Sequence, residues 1–204
     1  MASRKPTKKK TTRPRAKKKT AKRPAKKPAP KWKKGDAVPW GLMPREPGER
    51  LHWVMKSEPS VFSIEDLKSK PDSTSAWDGV RNYTARNFMM QMKLGDLVFF
   101  YHSSDEPVGV AGIAEVVRES HPDHTSWDTS SKYHDPKSTP EKPRWYMVEV
   151  KWVETFPELL PLSELRGREA LARMVMLRAG NRLSVTPLTV AEWNAVLALA
   201  RRSR

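Results

Sequence analysis

Residues 95–117, GDLVFFYHSSDEPVGVAGIAEVV, decide how this chain folds. Leu97 to Ser103 carries bulky β-formers on both faces, the pattern of a strand covered above and below and therefore central in its sheet. Gly95-Asp96 turns into it, and a polar turn at Asp105 to Pro107 leads to Gly109–Val117, which reads as its antiparallel partner. Gly109, Ala111 and Gly112 leave little side-chain bulk, so a neighbouring segment is expected to approach the backbone there. Tyr101, His102 and Ser103 form the polar end of the first strand and should project at one rim.

Towards the N-terminus, HWVMKS after Leu51 is a further strand, ended by Pro59. Ser63 with Asp66 three residues later has the spacing of a capping box, predicting a short helix from Ile64 to about Lys70. Pro71 to Ser75 then reads as a loop, and a helix follows Asn82 with Ala85, Phe88, Met89 and Met92 on one side. Towards the C-terminus, residues 118–143 form a polar loop too long for a mere connection. Arg144 to Phe156 alternates as a strand, Leu162–Arg168 and Ala170–Arg178 read as two short helices, and RLSVTPL at 182–188 is a brief strand. Thr189 and Glu192 begin a last helix, Val190 to about Ala200. This order of elements is α+β: a curved, barrel-like sheet flanked by short helices.

Between the predicted elements, WDGVRNYTARN at 77–87 has the composition of a site. A flat ring, an acid, a glycine and a cluster of donors could together grip a flat polar ligand; the alternative is a buried Trp closing a loop ahead of a capped helix. Asn82 could pair with a base or cap the helix. Arg81 and Arg86 suit phosphates or structural ion pairs.

The chain has 204 residues and a net charge of +16, unevenly spread. Residues 1–34 hold 17 Lys or Arg and no acid, so the rest is nearly neutral. This Lys-, Pro- and Ala-rich tail cannot bury enough apolar surface to order itself, and it resembles the basic arms of linker-histone-like proteins. It is expected to bind phosphates without regard to sequence, although an import signal, an anionic-membrane tether or a solubility tag would use the same composition. Residues 35–50, rich in Pro and Gly and following a first stray Trp32 with a second at Trp40, form a linker or an arm packed back on a domain of residues 51–204. With no cysteine there is no disulfide, thiolate nucleophile or Cys-based zinc site. No apolar run follows the basic stretch, so neither a signal peptide nor a membrane anchor is expected, and the location expected is intracellular: nucleus or nucleoid and cytoplasm.

MKSEP (55–59), WDGVRNYTARN (77–87), the unit from Gly95 to Ser103, GVAGIAEVV (109–117), YHDPKS (133–138), PRW (143–145) and RLSVTPL (182–188) occur in this order and together resemble the EVE domain. The resemblance implies a PUA-like pseudobarrel related to the YTH readers, with a pocket for a modified base, modified cytosine in DNA first among the candidates. It implies Trp77 as a stacking platform, Ser57 and Glu58 facing the base edge, and the Asp78 backbone amide at an edge contact. Tyr101 and Ser103 would line the floor or mouth. Tyr133 or Trp127 would supply a second wall, with Tyr133 preferred, and Trp145 is core or cage. Lys137 and Ser138 suit a flanking phosphate. His134 stands where the family pattern suggests a second tyrosine, which adds a charge that varies with pH. No cofactor or metal is implied, the natural partner is nucleic acid and DNA before RNA, and a monomer is the default.

Two rival readings remain at this stage. His121, Asp123, His124, Asp128 and His134 offer carboxylate and imidazole ligands for a metal-dependent enzyme, but HPDH lacks helical zinc spacing, and no Gly-rich phosphate loop, serine elbow or HExxH is present. Alternatively, the tail compacts DNA and the folded domain is a passenger.

Overall fold

The computed structural model describes residues 44–202. The expectations for the basic tail, for Trp32 and Trp40, and for most of the linker lie outside the described residues. Six strands, β1 (His52–Ser57), β2 (Thr74–Trp77), β3 (Leu97–His102), β4 (Gly109–Pro122), β5 (Tyr146–Pro161) and β6 (Val185–Leu188), form one curved mixed sheet in the order β2-β5-β4-β3-β1-β6. The ladder stays open, with β2 and β6 at its edges. β1 and β3 pair in parallel, and every other pair is antiparallel. The helices are α1 (Ile64–Ser69), α2 (Tyr83–Met89), α3 (Leu162–Arg166) and α4 (Val190–Ala200).

The sheet is covered on both faces, which explains why β1 and β3 read as nearly continuous apolar runs. Side-chain alternation sends Trp53, Met55, Val98 and Phe100 into one core with α1 and α2, and Val54, Phe99 and Tyr101 into a second core with α3 and α4. Phe99 stacks on Trp193 of α4 at 3.8 Å between centroids. Both capping boxes form: Ser63 and Asp66 close reciprocally on α1, and Thr189 and Glu192 on α4. The close approach expected at the small residues of β4 is observed at Gly112, where a Cβ would collide with the Glu154 carbonyl and with Ile64.

Several boundaries differ from the sequence expectation, and β5, expected over Arg144 to Phe156, runs from Tyr146 to Pro161. Thr74–Trp77, read mostly as loop, is an edge strand because β5 supplies its partners, Trp77 opposite Val148. The loop expected from residue 118 begins at 123, since β4 runs on to Pro122 with Arg118 ion-paired to Glu149 across the ribbon at 2.8 Å. The helix expected over 170–178 is two 3₁₀ turns, Glu169–Leu171 and Val175–Leu177; Met174, Val175 and Met176 are all buried, a run with no single helical face. RLSVTPL is strand only from Val185.

Residues 44–50 pack back on the domain. Arg45 clasps Asp96 with both guanidinium nitrogens, at 2.8 and 2.7 Å, and the fully buried Asp96 carboxylate also accepts from the Leu51 amide, the Trp53 indole and the Lys93 amide. Burial alone would raise the Asp96 pKa, but these donors outweigh it and hold the value below the usual carboxylate range. The clasp sits at the starting end of β1 and β3. Their other end carries the site.

Candidate functional site

A cavity of about 650 Å³ opens where β1 ends at Ser57, between the β1–α1 turn, the end of β2 and the 123–145 loop. Ligand sites are ordinarily about 300–1,000 Å³. Of the nine expected base contacts, Ser57, Glu58, Trp77, Asp78 and Tyr133 line this one cavity, and Arg81 joins them. Gly79, part of the stretch the sequence singled out, lines it too, while Phe62, Lys70 and Lys132 are lining residues that sequence reasoning missed. Phe62 directly precedes the Ser63 cap, the position of a hydrophobic staple, so its sequence signal is one of packing. Lys132 could have been found as the neighbour of Tyr133.

Trp77 reaches the cavity at the end of β2, with its ring edge-on to Phe100 at 5.2 Å and to Phe62 at 6.3 Å. Only 7% of the residue is exposed, so it is floor and core at once; an open stacking platform would present a whole ring face. Tyr133 forms the opposite wall. Its ring lies over Gly79, where an added Cβ would stand 2.6 Å from the ring, and Gly79 adopts φ +73°, so this position requires glycine for both space and backbone.

Asp123 ties these walls together. Its buried carboxylate accepts from the Gly79 amide at 3.0 Å, from Arg81 at 2.7 Å, and from the amide and hydroxyl of Thr125 at 2.9 and 2.6 Å. Burial would raise its pKa, yet the donors, Arg81 foremost, keep it below the usual range. Arg81 also donates to the Tyr133 carbonyl at 2.6 Å and to Thr125 Oγ1 at 2.9 Å, so it holds that wall in place. Of the two uses sequence reading left open for Arg81, the ion pair is the one formed.

The polar groups facing the cavity differ in freedom. Glu58 accepts from Ser104 Oγ at 3.0 Å through one oxygen, leaving its other oxygen for a ligand donor. Asp78 stands exposed at the rim, and loss of water around it, together with the Asp123 carboxylate, raises its pKa. Lys70 and Lys132 line the cavity, and neither forms a salt bridge within 4 Å among the described residues. The Lys56 ammonium instead lies over the Tyr101 ring at 5.7 Å, on the far face of β1.

Several expected site residues are elsewhere. Asn82 caps α2, its Oδ1 accepting from the amides of Thr84 and Ala85, and does not line the cavity. Tyr101 points into the second core because it follows Phe100 on the strand, and alternation sends it to the other face. Ser103 donates to the Ser57 carbonyl at 2.8 Å (amide) and 3.2 Å (hydroxyl), closing the strand pair. Trp145 is a pillar, not a cage: it stacks on Tyr83 at 4.7 Å and donates to Asp135 at 2.7 Å. Arg86 donates to the Arg144 carbonyl at 2.7 Å and lies over Tyr83, bracing that stack. Ser138 is buried, bonded to Ser126 Oγ and the Arg144 amide, which removes it from phosphate contact. Lys137 is exposed, but neither it nor Trp127 lines the cavity. Asp123 is engaged by Arg81, and no group of three or more His, Asp or Glu fit to hold a metal is found among the described residues. No described helix is long and apolar enough to cross a membrane.

The arrangement defines a small α+β binding domain: an aromatic floor and wall, acceptors at one side, and cations at the rim. The EVE domain family model matches residues 51–199, and the chain belongs to the EVE domain family. It is 42% identical over 168 residues to thymocyte nuclear protein 1 of Homo sapiens, spanning 74% of each chain. Human THYN1 protein solved in complex with 5-methylcytosine-containing DNA superposes with a TM-score of 0.70 at 44% identity, over 74% of this chain and 97% of that one. A hypothetical protein from Leishmania major gives a TM-score of 0.73 at 46% identity, over 76% and 97%.

Proposed function

We propose that this protein is a non-catalytic reader of a modified base, 5-methylcytosine in DNA before others, which it takes extruded from the duplex into the Trp77–Tyr133 cavity. The observation that carries the reading is the likeness to the human protein solved on 5-methylcytosine-containing DNA. The cavity supports it chemically. A base inside a duplex hides its Watson–Crick edge, so a pocket of this depth engages it only once flipped, at a cost of a few kcal/mol. Stacking against an aromatic side chain returns roughly 1–3 kcal/mol. In this reading Glu58 accepts from the exocyclic amine of cytosine, the Asp78 segment offers a second polar contact, and Lys70 and Lys132 meet the phosphates on either side; that all four line the cavity supports it.

In this reading the basic tail adds sequence-blind affinity, and the protein works where the cell keeps its DNA. The test is equilibrium binding of the full chain to matched duplexes with cytosine or 5-methylcytosine at one salt concentration. A preference of tenfold or more, about 1.4 kcal/mol, for the methylated duplex is expected. Equal affinity would refute the reading and favour a tail that coats DNA.

A further inference from the structure

A second cavity, of about 350 Å³, lies beside the first along the segment that leads into β6. Its lining includes the buried Val175 and Leu183 together with Arg178 and Arg182, and no acidic residue lines it. Asn181 holds the wall in place, donating to the Val175 carbonyl at 3.1 Å and accepting from the Leu183 amide at 3.1 Å. The first cavity begins at the next residue, Ser184, whose carbonyl accepts from the Lys56 amide at 2.8 Å. Arg182 and Ser184 are two Cα steps apart, at most about 7 Å. The two cavities therefore share a border at Leu183 and Ser184.

Buried aliphatic side chains next to an exposed arginine suit a sugar with its phosphate: the pentose covers the aliphatic side chains and the Arg182 guanidinium meets the phosphate oxygens. We propose that this second cavity holds the sugar-phosphate unit adjoining the extruded base, on the same nucleic-acid strand, with Arg182 as its phosphate contact. The inference rests on the reading of the first cavity. It assigns the strand a direction across the protein, from the Trp77 side towards β6, and it gives the body of the protein a phosphate contact that does not depend on the tail.

The test is a scan of methylphosphonate substitutions, each replacing one charged phosphate within three nucleotides of 5-methylcytosine, against the full-length wild type and Arg182→Ala. Arg182 is exposed, so the variant is expected to keep the wild-type melting temperature. In the wild type, neutralising one flanking phosphate should weaken binding about fivefold, and Arg182→Ala should weaken the unmodified scan duplex by a similar factor and lower the salt slope by about 1. In Arg182→Ala the sensitive position should disappear, while Arg182→Lys should keep part of it. A scan profile identical in wild type and Arg182→Ala, with methyl preference intact, overturns this placement alone. A wild type with no methyl preference overturns the reading of the first cavity and this placement with it.

Discussion

Replacing Gly79 by alanine should separate the wall of the cavity from its scaffold. The added methyl falls 2.6–2.9 Å from three atoms of the Tyr133 ring, against an ordinary contact of 3.4 Å or more, so the ring must retreat by close to an ångström. The backbone there has φ +73°, and holding a non-glycine residue in that region costs about 1–2 kcal/mol. For a domain of this size that predicts a melting temperature lower by roughly 2–8 °C. The effect on binding is larger in kind, because a displaced ring no longer lies parallel to the base and forfeits up to the roughly 1–3 kcal/mol of stacking, a loss of about five- to a hundredfold for the methylated duplex. Fluorescence anisotropy with methylated and unmethylated duplexes, beside thermal melts, measures both. Tyr133→Ala should reproduce the binding loss without the backbone strain. If Gly79→Ala melts earlier yet binds methylated DNA as tightly as the wild type, Tyr133 is a prop behind the site, and the stacking argument fails.

Trp77→Ala should cost about 3–5 kcal/mol of stability, since its ring is packed against Phe100 and Phe62, so its lost binding reports unfolding as well as recognition. Trp77→Phe is the discriminating variant, expected to stay folded in denaturant titrations while methyl preference falls. The Asp123 carboxylate is held below its ordinary value, so folding favours its charged form: its contribution is full above the unfolded value of about 4 and is lost as pH falls through the lower folded value. Asp123→Asn should therefore be less stable near neutrality and show an acid limb shallower by up to about 1.4 kcal/mol per pH unit, read from urea midpoints between pH 5 and 2. Deleting residues 1–34 should remove most of a salt slope near −7, taking about half the tail charges as phosphate contacts, and leave the ratio of methylated to unmethylated affinity unchanged. A ratio that vanishes with the tail would favour the compaction reading.

The framework of the fold was written locally. β1, β3, the first half of β4 and both capping boxes follow from side chains a few residues apart, and they lie where periodicity and capping chemistry put them. The cavity is different, because its walls come from distant segments: Arg81 pairs with Asp123, 42 residues on, and donates to the Tyr133 carbonyl, 52 residues on. Sequence reading singled out 77–87 but could not divide its labour: Trp77 and Arg81 line the cavity, while Asn82 and Arg86 hold the helix and the Tyr83–Trp145 stack. Tyr101 was legible in principle, since its parity with Phe99 sets it on the α4 face. Lys70 was not, because nothing within its own segment marks it as part of the wall.

The Arg45–Asp96 clasp anchors the chain where it enters the domain. It fixes the entering chain at the beginning of β1, six residues and about 20 Å from Ser57 at the cavity's edge. The segment before Arg45 therefore joins the domain at the end of β1 opposite the cavity, so phosphate contacts made by that segment and base contacts made in the cavity start from opposite ends of one strand.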